Sequence, residues 1–132
     1  APKSTGFEYF NQDWLRQHDV ATLPTEDVQA TLCELTATTI ADAVIASHTK
    51  IGRVLICGGG VHNTYSLERL QSLLAGIAVE STQIHGVHPD WIEAMAFAWL
   101  AQRYIENRPG NLPSVTGARE SVVLGSLRSP DS

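Results

Sequence analysis

Long apolar runs are missing from this sequence: the longest, Ala94–Ala101, falls far short of the ~20 residues that span a bilayer. A membrane partner is therefore not expected. No basic stretch followed by an apolar one stands near the start, so a signal peptide is not expected either. Cationic groups are also scarce. Nine Lys and Arg face fourteen Asp and Glu, a formal net charge of −5, and the nine are scattered rather than clustered. That leaves no basic field for a phosphate backbone, and nucleic acid drops out as a partner. Only two cysteines occur, Cys33 inside a helical pattern and Cys57 at the end of a strand pattern, with no framework spacing around either. Two buried thiols in a reducing compartment are expected rather than a disulfide, which points to the cytoplasm. An initiator Met is absent as well: the chain opens Ala1-Pro2-Lys3-Ser4-Thr5-Gly6 and runs into Phe7, Phe10 and Trp14. This reads as the interior of a longer protein, with processing as the alternative.

What is present suits one packed core. The chain has 132 residues, 43% hydrophobic and 17% charged. Residues 1–24 read as irregular. Pro24-Thr25-Glu26-Asp27 then predicts a helix start, with Thr25 as cap and two acids against the positive end of the dipole. Val28, Leu32, Leu35, Thr39 and Ala43 recur at spacings of three and four, a helical stripe over 26–48 that ends near His48-Thr49-Lys50. Arg53-Val54-Leu55-Ile56-Cys57 predicts a strand covered on both faces. A second helix follows, with Asn63 as cap and Leu67, Leu70 and Leu74 along it, and then a second strand at Ile77–Glu80. Ser81–Val87 reads as loop. His88-Pro89-Asp90 opens the last long helix, with Asp90 as cap and Pro in the first turn, where its missing N–H costs nothing. Ala94–Ala101 is apolar all round, which predicts a buried helix with Met95, Phe97 and Trp99 in the core. After Asn107–Gly110 the chain reads as loop, fraying at Ser129–Ser132. The expected order is helix, strand, helix, strand, helix, an α/β arrangement with one βαβ unit.

One segment carries chemistry: Val54-Leu55-Ile56-Cys57-Gly58-Gly59-Gly60-Val61-His62-Asn63. A strand runs into three glycines and then a helix start. Glycines let the backbone take positive φ and let a flat or charged ligand touch it. A helix N-terminus behind them offers N–H groups and partial positive charge to a phosphate or ribose edge. The segment matches neither the G-x-x-x-x-G-K-[ST] loop nor the G-x-G-x-x-G fingerprint. The pattern by itself leaves two readings open, nucleotide binding and a plain tight turn.

Val54–Asn63 resembles the adenosine motif of the actin/hexokinase-like sugar kinases. Four stretches further resemble the anhydro-N-acetylmuramic acid kinase family within that superfamily. They are Pro2–Gly6, the Gly58–Gly60 run with His62-Asn63, Pro89-Asp90-Trp91-Ile92-Glu93 continuing to Ala101, and Pro109-Gly110-Asn111-Leu112-Pro113-Ser114-Val115-Thr116-Gly117-Ala118. Phe7 departs from the family pattern, where a basic residue is expected. The resemblance implies a ribonuclease H-like, two-lobed kinase of which residues 1–132 are a single partial domain, part of the carboxyl-terminal lobe. Its implied reaction opens the 1,6-anhydro ring of anhydro-N-acetylmuramic acid with water and phosphorylates O6, giving N-acetylmuramic acid 6-phosphate in cell-wall recycling. ATP and Mg are the implied cofactors, with Gly58, Gly59, Gly60 and Asn63 at the nucleotide and Glu93 at a sugar hydroxyl. The family's Gly-Thr-x-Ser-Gly-Thr phosphate loop and its general-base aspartate are expected upstream of Ala1. No catalytic residue is therefore assigned in this chain, the metal is held elsewhere, and the chain alone is expected to be inactive.

Other candidates weigh less. His85 and His88 have metal-like spacing and His62 could join them, but no Cys or acid cluster completes a tetrahedral set, so no metal site is assigned. Cys57 adjoins the glycine turn without a flanking base and is expected to pack. For Glu93, a helix-start N–H competes with the sugar hydroxyl as partner. Two functions compete with the enzyme reading: a non-catalytic nucleotide-binding module, and a half-lobe that self-associates into a homodimer through a sheet edge and apolar faces.

Overall fold

The computed structural model describes residues 6–47 and 50–128. In chain order the elements are α1 (Gln12–Arg16), a 3-10 turn (Val20–Thr22), α2 (Thr25–Ile45), β1 (Arg53–Ile56), a 3-10 turn (Gly59–His62), α3 (Thr64–Leu73), β2 (Ala78–Ser81), 3-10 turns (Thr82–His85 and Pro89–Trp91), α4 (Ile92–Ile105) and α5 (Pro113–Thr116). The expected alternation of helix and strand holds. Two expectations fall outside the described residues, the Pro2–Thr5 stretch and the frayed Ser129–Ser132, while the helix expected over 26–48 stops at Ile45 with Ala46 as its cap, so its length is corrected. The chain divides into two compact units, residues 19–93 and residues 1–18 with 94–132.

In the first of these, β1 and β2 pair in parallel through the crossover helix α3, the anticipated βαβ unit. The register sets Val54 beside Val79 and Ile56 beside Ser81. Coverage of β1 differs from expectation. Val54 and Ile56 lie half-buried toward the helices, while Leu55 on the other face is 44% exposed. Period-two alternation puts neighbours on opposite faces, and only one face is covered among the described residues. The core is Ala37 and Ala41 of α2 against Leu70 and the adjoining Leu74 at the end of α3, flanked by Val44, Val54, Ile56, Leu73, Ile77 and Val79. The two alanines let the helices approach closely, so the buried stripe follows Ala37, Ala41 and Val44. Leu35, Thr39 and Ala43 of the expected stripe are exposed. Cutting Leu74 back to Ala would cost about 2–5 kcal/mol, the usual loss for a buried Leu.

Local signals set the helix ends. Glu26 and Asp27 occupy the first turn of α2 as expected. Thr25 does not cap it: Pro24 holds the cap position without a side-chain bond, and Thr25 is already helical. The hydroxyls of Thr31, Thr36 and Thr39 return to the carbonyls of Asp27, Leu32 and Leu35, so each finds its partner within the helix. Asn63 caps α3 by accepting from Ser66 N at 3.0 Å. Gln71 of α3 ties the helix to β2, donating to Ile77 O at 3.1 Å and accepting from Val79 N at 3.0 Å.

In the second unit, Asn11 caps α1 by accepting from Asp13 N and Trp14 N. Tyr9, Phe10, Trp14 and His18 meet edge to face in sequence. This orders a segment whose sequence reads as irregular. Along α4, no residue is buried: Phe97 is 64% exposed and Trp99 49%. The expected burial of this helix and of Met95, Phe97 and Trp99 is therefore corrected, because nothing among the described residues encloses the helix on all sides. Leu100, Tyr104 and Leu124 line a cleft of about 480 Å³ beside it.

The turn after α4 explains the Pro-Gly-Asn-Leu stretch. Asn111 donates to Glu120 O at 2.9 Å and accepts from Val122 N at 2.7 Å, and Gly110 N donates to Val122 O at 3.0 Å. A Cβ on Gly110 would stand 2.9 Å from Leu100 Cδ2. Glycine allows the close approach, and the Asn clips the returning strand of chain.

Candidate functional site

The glycine turn lies at the carboxyl ends of two parallel strands, the place where α/β sheets take their ligands. Gly58 has φ +69° and ψ −168°, a region essentially closed to any residue with a Cβ. Gly59 and Gly60 differ. Both lie in the 3-10 turn without positive φ, and a Cβ on either would meet nothing within 4 Å. The protein's own packing does not demand glycine at 59 and 60, and their outer side is open. Asn63 leads into α3 with its Oδ1 committed to Ser66 N, and its Nδ2 faces Cys33 Sγ at 4.0 Å. One residue past the last register pair, Thr82 Oγ1 is buried and has no hydrogen-bond partner among the described residues.

A second segment closes on the turn. Gly58 N donates to Pro89 O at 3.0 Å, and His62 Nε2 lies 3.1 Å from Asp90 Oδ1. A carboxylate only accepts, so Nε2 carries the proton in that bond. The expected cap at Asp90 is replaced by His88, whose Nδ1 accepts from Asp90 N at 3.3 Å, while its ring lies 5.5 Å from that of Trp91. Glu93 follows one helical turn after Asp90. It is exposed in the first turn of α4 and has no hydrogen-bond or ion-pair partner among the described residues. The structure thus brings Gly58, His62, Pro89 and Asp90 together, with Glu93 four residues after Pro89 in the first turn of α4.

His85 lies apart from this cluster. It bonds Glu80 at 2.9 Å, with Arg53 3.6 Å from the same carboxylate oxygen. Among the described residues no three His, Cys, Asp or Glu side chains form a metal-holding group. Both cysteines are free, but the expected burial fails: Cys57 is exposed and Cys33 half-buried. Away from the site, Arg69 of α3 grips Glu34 of α2 through two bonds, 2.7 and 2.9 Å, and holds its carboxyl below the ordinary carboxylate value.

Sequence reasoning missed the His62–Asp90 contact. The one available signal was a basic and an acidic side chain within the two stretches that carry the family resemblance.

The sequence that builds this site has relatives among known proteins. The family model described as anhydro-N-acetylmuramic acid kinase matches residues 1–130. Similar curated proteins carry the same description. One from Xylella fastidiosa is 51% identical over 127 residues, 96% of this chain and 33% of its own length. One from Xanthomonas campestris pv. campestris is 53% identical over 96% of the chain, and one from Coxiella burnetii is 46% identical over the same share. The chain spans about one third of the length of these relatives.

Proposed function

The chain belongs to the anhydro-N-acetylmuramic acid kinase family, and from that premise we propose that it is the ATP-binding, carboxyl-terminal-lobe portion of such a kinase, with residues 1–132 as one partial domain. The complete enzyme opens and phosphorylates 1,6-anhydro-N-acetylmuramic acid to N-acetylmuramic acid 6-phosphate in the cytoplasm. One observation carries the nucleotide assignment: a parallel strand runs into Gly58 at φ +69°, followed by two glycines whose outer side is open, and then a capped ten-residue helix. The site residues fit ATP in kind. Open backbone at Gly59 and Gly60 accepts the flat adenosine, and the start of α3 presents positive potential. The unpartnered Thr82 hydroxyl adds a polar group at the same end of the sheet.

In this reading Gly58 shapes the turn, while Gly59 and Gly60 meet the nucleotide. Asn63 acts by capping α3 through its Oδ1, while its Nδ2 faces Cys33 Sγ, so it supports the turn behind the nucleotide. Glu93 accepts from a sugar hydroxyl, and its exposure and lack of a protein partner suit that role. Mg travels with the nucleotide and is held by it and by residues outside this chain. Bound ATP supplies the phosphoryl group, and the residues here bind and orient. The exposed apolar face of α4 also suits a chain that matches only a third of its relatives' length.

Calorimetric titration of the chain with ATP tests the assignment. Saturable binding that Gly59→Val abolishes is the expected result, and absence of binding by the unmutated chain would reject it.

A further inference from the structure

The contacts between the glycine turn and the start of α4 do more than join two segments. The Gly58–Pro89 backbone bond is a single point, about which the turn can still pivot. The His62–Asp90 bond supplies a second point, four residues further along the turn and one further along the partner segment. Two points remove the pivot. Asp90 is itself aimed: its N–H is held by His88 Nδ1, and His88 rests against Trp91. His62 sits inside the 3-10 turn built from Gly59 and Gly60, so its position and theirs move together.

We infer that His62 and Asp90 are a positioning pair that fixes the Gly58–Gly60 turn against the segment bearing Glu93. The inference rests on the nucleotide and sugar assignments proposed above, because it gives the pair the task of setting the spacing between those two ligand-facing groups. Neither side chain touches a ligand in this scheme. Both are largely solvent-exposed, at 64% and 46%, so the pair contributes orientation more than stability.

The test follows Gly58 amide exchange, melting temperature and ATP affinity in the 132-residue chain. His62→Ala, Asp90→Ala, the double variant and His62→Arg are compared with the unmutated protein. Either alanine variant is expected to melt normally, to speed Gly58 exchange about three- to tenfold, and to weaken ATP binding by a similar factor. The double variant should be no worse than either single one, since one contact is lost in each case. His62→Arg, whose guanidinium also donates to a carboxylate, should restore both readouts. Faster exchange with unchanged ATP affinity would overturn the positioning role, and unchanged exchange would overturn the clasp itself. If the unmutated chain binds no ATP, the nucleotide reading fails instead, and Gly58 exchange then decides alone whether the pair holds the turn. Should Asp90→Ala unfold, Asp90→Asn removes the charge while keeping the shape.

Discussion

The amide of Gly58 and the carbonyl of Pro89, 31 positions apart in sequence, meet in a 3.0 Å hydrogen bond. That bond joins the turn after β1 to the turn before α4, so the conformation of one glycine bears on how the two segments meet.

Gly58→Ala should destabilise the chain by about 1 kcal/mol or more, because its φ of +69° penalises any Cβ even though the surrounding space is open. Gly59→Ala carries no such penalty and should melt normally while weakening ATP binding. Thermal melts and ATP titration on both variants separate the two roles. Normal ATP affinity in Gly59→Ala would leave Gly59 as turn geometry only.

Glu93→Gln should leave the melting temperature unchanged, since the carboxylate has no partner among the described residues. In the complete kinase the same change should lower kcat/KM for the sugar about ten- to hundredfold, the usual worth of a hydrogen bond to a charged group. A lower melting temperature with normal sugar kinetics would instead identify Glu93 as a helix-dipole residue.

Glu34 gives the fold an acid-side weakness. Its bonds to Arg69 lower the carboxyl pKa in the folded state, so the unfolded chain binds the proton more readily. Stability from this pair is complete above the ordinary carboxylate value of 4.5 and is lost as pH falls through the lower folded value. Glu34→Gln should therefore flatten the acid limb of a stability–pH curve. Both side chains are more than a third exposed, so the effect should be small and reduced by salt. An unchanged acid limb would mean that the pair is not formed in solution.

Asn111→Ala removes two side-chain bonds to the returning segment and should cost about 1–2 kcal/mol. Exchange of the Val122 amide should speed up selectively. Equal acceleration across the chain would mean that Asn111 stabilises the whole rather than clipping this one turn.

The 132-residue chain itself should turn over no anhydro-N-acetylmuramic acid, since the resemblance puts the phosphate loop and general base upstream of Ala1. A coupled ADP-release assay checks this, and turnover above a buffer blank would show that the chain holds a complete active site.

The sequence by itself determined the features that depend on a few neighbouring residues. The acids at the start of α2, the Asn63 cap of α3, and the alternation of helix and strand that yields the βαβ unit are all legible from signals within about one helical turn. The glycine run also announced the turn. Tertiary structure alone decided which glycine must take positive φ, because that sign depends on where the chain has to go after β1. It replaced the expected Leu35–Thr39–Ala43 stripe with Ala37 and Ala41, since close approach of α3 favours small side chains there. It paired His62 with Asp90 across 28 residues, where sequence offered only a metal candidate and a cap. And it left α4 exposed, because an apolar helix is buried only by whatever packs around it, and no pattern within the helix encodes that covering.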